Sequence, residues 1–112
     1  MQYVLLIYDD PAAWASVSED EMTSIYGEYR AVSELANTTG GAQLQPATTA
    51  RSVRVRNGKP IVSDGPFAET KEVLGGFYII EAGSTSEAEE IAARVPSARM
   101  GGTVEVRPVV ER

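Results

Sequence analysis

A chain with neither histidine nor cysteine must do any proton chemistry with carboxylates, lysines or tyrosines, because the ordinary neutral-pH base and the thiolate nucleophile are both missing. Such residues gather in SDGPFAETKEVLGGFYII, residues 63–80. Asp64, Glu69 and Lys71 share one short loop there, and Phe67 and Tyr78 would partly desolvate them, moving a carboxylate up or a lysine down toward neutrality. Asp64 is the first candidate for an acid/base residue, with Gly65 and Pro66 shaping the backbone beside it. The tripeptide also has a sufficient structural explanation: Asp closes a turn, Gly supplies permissive dihedrals and Pro fixes the next one. Glu69, Lys71 and Glu72 read more plainly as a solvated charged surface.

Asp64 acquires a partner from the hairpin that precedes it. Asn57-Gly58 between Ser52–Arg56 and Lys59–Ser63 is a strong two-residue hairpin signal. In that register Val55 faces Pro60, Val53 faces Val62, and Arg51 comes opposite Asp64, where a charge on an apolar face would need a counter-charge. Arg54 and Arg56 point the other way, as a solubilising pair or as a grip for an acidic partner. Asp64, Glu69 and Glu72 offer oxygen ligands, but their spacing matches no known cation loop and nothing completes the set, so neither a metal nor a cofactor is expected. Gly75-Gly76 precedes a strand rather than following one, which suits a bulge or tight turn into the strand better than a phosphate cradle. Asp9 and Asp10 read as a solvated turn, and Tyr26 and Tyr29 as packing on a helix core face.

The elements that must position these residues can be read in order. Tyr3–Tyr8 is a continuous apolar run and a central strand. Trp14 falls in a loop or short turn. Ser18 with Glu21 forms a capping box for a helix carrying Met22, Ile25, Tyr26, Tyr29, Val32 and Ala36, which is expected to stop at Gly40-Gly41. Residues 43–50 read as a weak strand followed by a Pro-Thr-rich connection, and the hairpin comes next. Phe77–Ala82 is a second apolar strand. Ser84 and Glu87 cap a helix with Ala88, Ile91, Ala92 and Val95 on one face, closed by Pro96. Thr103–Arg107 alternates as a strand at or near a sheet edge.

This order is one α+β domain over residues 1–112: a ferredoxin-like βαββαβ core with an inserted β-hairpin and an antiparallel sheet. Both helices cover one sheet face, so the other needs cover, most simply from a second copy in a dimeric α+β barrel. The net charge of −6 argues against direct nucleic-acid binding and against an anionic membrane as main partner. The short apolar run at the N-terminus, without a basic flank, is neither signal peptide nor membrane span, which points to a cytoplasmic protein.

DGPFAETKEVLGGF, with VRVRNGK before it and SARMGGTVEVRPV near the end, resembles the DGPF branch of the YCII-related domain family. The resemblance runs from Met1 nearly to Arg112. It implies a ferredoxin-like fold, a dimeric α+β barrel and a bacterial cytoplasmic protein without an established reaction. Some relatives are encoded near or fused to extracytoplasmic-function sigma factors. A His–Asp pair proposed for certain members has no counterpart here, because this chain has no His. The expectation is a homodimer that binds a small molecule, with Arg51, Gly65, Pro66, Phe67, Glu69, Lys71 and Tyr78 around Asp64. A non-catalytic accessory module with a protein partner linked to sigma factors is the alternative.

Overall fold

The computed structural model describes residues 1–66 and 70–112. Among these residues six strands and three helices run in the order β1 (Gln2–Asp9), α1 (Pro11–Trp14), α2 (Glu19–Ser33), β2 (Thr38–Gln43), β3 (Arg51–Arg56), β4 (Lys59–Asp64), β5 (Val73–Glu81), α3 (Thr85–Ala92) and β6 (Thr103–Pro108). Four strands form an antiparallel sheet in the order β2-β5-β1-β6, and β3 with β4 forms a separate two-stranded hairpin. The two most apolar segments, β1 and β5, occupy the middle of the larger sheet, as the sequence predicts. Among the described residues no helix is long and apolar enough to cross a membrane.

Alternation along β1 sends Tyr3, Leu5 and Ile7 to one face, where Ile80 of β5, Val32 of α2 and Ala88, Ile91 and Ala92 of α3 close a buried core over them. The opposite face presents Val4 and Leu6, paired with Ile79 and Phe77, and all four are only half-buried. A single chain thus covers one side of its sheet and leaves an apolar stripe on the other.

Both capping boxes form. Ser18 accepts the Glu21 amide at 3.1 Å and Ser84 accepts the Glu87 amide at 3.1 Å. The first long helix ends earlier than its glycines suggest, at Ser33 with Glu34 as C-cap, because Thr38 Oγ1 donates to the Val32 carbonyl at 2.7 Å and satisfies a helix-end acceptor. Gly40 and Gly41 lie inside β2, not at a helix end, and the strand expected over 43–50 is instead β2 followed by a 3-10 turn at Ala47–Thr49. The glycines serve close strand pairing. A β-carbon on Gly41 would fall 2.5 Å from the Phe77 carbonyl oxygen. The hairpin matches its expected register pair for pair, with Asn57 and Gly58 in the left-handed region at φ 52° and 76°.

Candidate functional site

The residues grouped around Asp64 by sequence occupy separate places. Arg51 does face Asp64 across the hairpin, with Arg51 Nε 3.1 Å from Asp64 Oδ1, but the two side chains are 63% and 92% exposed. Gly65, with φ of 88°, turns the chain out of the hairpin, and its amide donates to the Ala50 carbonyl at 2.7 Å. Pro66 borders a separate, largely apolar cavity of about 640 Å³ with Tyr8, Leu44 and Leu74. Lys71 reaches toward Asp10, at 3.8 Å from Oδ2. Glu72 accepts a hydrogen bond from Thr103 Oγ1 at 2.8 Å. Tyr78 points to the helix-covered side of the sheet, and Phe67 and Glu69 lie outside the described residues.

A different group converges where β1 ends. The Asp9-Asp10 pair is not a solvated turn. Asp10 is 9% exposed and accepts the Ala12 amide at 3.0 Å, acting as N-cap to α1, with Pro11 in its first turn. That one-turn helix puts Trp14 against Tyr29 of α2, ring centroids 6.4 Å apart and planes 24° from parallel. Asp9 faces a cleft of about 530 Å³ between the sheet and α2, lined also by Ile7, Tyr26, Arg30 and Tyr78. Tyr26, Tyr29, Arg30 and Ser33 follow helical spacing and give α2 a cleft-lining face beside its core face. Tyr26 is therefore not core packing, and it is half exposed.

The backbone makes room for Asp9. Between Ile7 and Tyr8 the β1–β5 register shifts, passing from Ile7↔Gly76 to Tyr8↔Leu74 and leaving Gly75 as the extra residue of a bulge. A β-carbon on Gly75 would stand 3.1 Å from Asp9 Cγ and still closer to Oδ2. Gly76 is tight as well, since a β-carbon there would meet the Ala42 carbonyl oxygen at 2.9 Å. The Gly-Gly pair is the bulge expected from sequence, and its purpose is to admit a carboxylate from the neighbouring strand.

Asp9 Oδ1 is buried without a hydrogen-bond partner among the described residues. Burial raises the Tyr29 phenol well above its ordinary range, and the Asp9 charge pushes it further in the same direction. Contact with the Ser97 backbone and the charge of Arg99 oppose the rise without cancelling it. Burial also raises Tyr78, whose hydroxyl donates to the Tyr29 carbonyl at 2.9 Å and ties β5 to α2. The cleft therefore pairs an acceptor lacking a donor with a phenol held in its protonated form. From sequence Asp9 reads as part of a solvated turn, and a bulge opposite it cannot be read before the strands are paired.

Among the described residues no group of three or more carboxylates is placed to hold a metal ion. The YCII-related domain model matches residues 1–112. The chain is also similar to an uncharacterised protein of Rhizobium meliloti (strain 1021), 38% identical over 114 aligned residues that cover 97% of this chain and 92% of the relative. With a family match over its whole length and a relative of this identity and coverage, this chain belongs to the YCII-related domain family.

Proposed function

We propose that this protein binds a small organic molecule in the Asp9 cleft and uses the carboxylate there for cofactor-independent acid/base chemistry. The observation that carries this reading is Asp9, which lines the cleft, is admitted by Gly75, and has an Oδ1 buried without a hydrogen-bond partner among the described residues. A buried acceptor without a donor costs free energy on the order of 1–3 kcal/mol, which a ligand N–H or O–H recovers on binding. Tyr29 lines the same cleft and offers its phenol hydroxyl as a hydrogen-bonding group for the bound molecule. A crystallographic fragment soak tests it: density within hydrogen-bond reach of Asp9 in the wild type, and none there in Asp9→Asn, is the expected result. Fragments that bind elsewhere and ignore Asp9→Asn would refute it.

The strand order β2-β5-β1-β6 is that of a split βαβ motif and supports a ferredoxin-like reading, with the β3–β4 hairpin inserted before β5. The half-buried stripe of Val4, Leu6, Phe77 and Ile79 supports a homodimer joined face to face through the sheets. Asp64 with Arg51 stands as a second acid/base proposal, favoured by the direct pairing of the two side chains and opposed by their exposure. For an exposed pair, Asp64→Asn shifts stability by no more than about 1 kcal/mol, so any loss of turnover in that variant reports on chemistry rather than folding.

A second reading has its own observation. Val53, Val55, Ile61 and Val62 are all exposed on a hairpin that stands apart from the main sheet. That surface supports an accessory role with a protein partner, including one linked to sigma factors. Capture of such a partner that survives Val53→Ser with Val62→Ser would remove the hairpin from consideration.

A further inference from the structure

The cleft contains two opposite charges that do not neutralise each other. Asp9 and Arg30 both line it, and neither takes part in an ion pair with a described residue. The same cleft is lined by the stacked rings of Tyr29 and Trp14 and by the half-exposed ring of Tyr26. A purely anionic ligand drawn to Arg30 would meet the Asp9 carboxylate. A purely cationic one drawn to Asp9 would bring its charge beside Arg30. Neither satisfies both ends.

We propose that the cleft takes a zwitterion of the amino-acid class, its ammonium donating to the Asp9 carboxylate and its carboxylate accepting from the Arg30 guanidinium, with an apolar side chain against Trp14, Tyr26 and Tyr29. This rests on the reading of the cleft as a small-molecule site and adds the charge pattern of the occupant. An ammonium supplies charge-assisted donors to a carboxylate that is short of them, and it lies favourably against aromatic faces. A guanidinium binds a carboxylate through paired N–H donors, which suits Arg better than Lys for this end. A volume of about 530 Å³ accommodates an amino acid with an aromatic or branched side chain.

Trp14 is the protein's one tryptophan and lies in the cleft wall, so its fluorescence reports occupancy directly. The test titrates the full chain with L-phenylalanine, 2-phenylethylamine, 3-phenylpropionate and 2-phenylethanol, four molecules that share a ring and differ in charge. L-Phenylalanine is expected to bind at least about tenfold more tightly than each of the others, as a charge-assisted contact at either end would give. Asp9→Asn should reduce L-phenylalanine to the affinity of 3-phenylpropionate while leaving 3-phenylpropionate no weaker. Arg30→Gln, at an exposed helix position, should do the converse, bringing L-phenylalanine to the level of 2-phenylethylamine. Equal binding of 2-phenylethanol and L-phenylalanine would overturn the zwitterion while leaving the cleft a small-molecule site. Tightest binding of 3-phenylpropionate would overturn it as well. No response to any of the four would also overturn it, and the fragment soak then judges the cleft independently.

Discussion

Asp9 of β1 occupies the space that any side chain at position 75 of β5 would need, so the carboxylate and the glycine are two halves of one arrangement. Gly75→Ala must displace the carboxylate or distort the bulge. It should lower stability by about 1–3 kcal/mol, in the range of overpacking substitutions. Asp9→Gly removes the obstacle, so adding it to Gly75→Ala should recover part of that loss. Urea denaturation of the four members of the cycle measures the coupling, and simple additivity of the two substitutions would show that they do not share the space.

Tyr29 carries a pH signature. Its folded-state pKa lies above the unfolded value near 10, so folding favours the protonated phenol. The stability this provides is complete below pH 10 and is lost as pH rises from 10 toward the folded-state value, since the unfolded chain sheds its proton first. Ultraviolet titration should show Tyr29 and Tyr78 ionising above the ordinary phenol range. Asp9→Asn should bring Tyr29 down but not to its ordinary value, because burial is the larger cause. An unchanged Tyr29 titration in that variant would separate the two residues.

Gly27 lies within α2 at a point where an added β-carbon would meet nothing inside 4 Å, and its φ is ordinary. Gly27→Ala should therefore stabilise the protein by roughly 0.5–1 kcal/mol, by restricting the unfolded chain and favouring helix. Thermal unfolding reads the shift, and a lower midpoint would indicate that the bare surface is needed against a partner.

The exposed sheet face gives an assembly prediction. Leu6 and Phe77 are directly paired and half-buried in a single chain. Leu6→Asp should convert a dimer to a folded monomer, seen as a halved mass by light scattering with the far-ultraviolet circular dichroism kept. A wild type that is already monomeric at micromolar concentration would refute the sheet-to-sheet dimer.

The hairpin shows how far local chemistry reaches. Asn57-Gly58 fixes the turn, and the turn fixes every pair from Arg56↔Lys59 to Arg51↔Asp64. That register was readable because all of its causes lie within fourteen consecutive residues, 51 to 64. The serine caps of α2 and α3 were readable for the same reason. The end of α2 was not, since the stop comes from Thr38 reaching back to Val32 and from the pairing of β2 with β5, both later in the chain than the apolar repeat. Residue type alone made Gly40-Gly41 resemble a helix stop, whereas their place against Phe77 and Tyr78 makes them a strand that approaches closely.

The same division separates the candidate sites. From sequence, Asp64 had the conspicuous neighbours and Asp9 had none, because adjacency along the chain is the only proximity a sequence displays. Alternation, caps and turn residues by themselves determined the α+β class, the two central strands, the hairpin register and the pairing of Arg51 with Asp64. Tertiary structure alone decided which carboxylate is drawn out of water, since desolvation depends on what packs above and beside a group. At Asp9 this requires a bulge from β5, an aromatic pair from α1 and α2, and a glycine sixty-six positions away, the difference between residues 9 and 75.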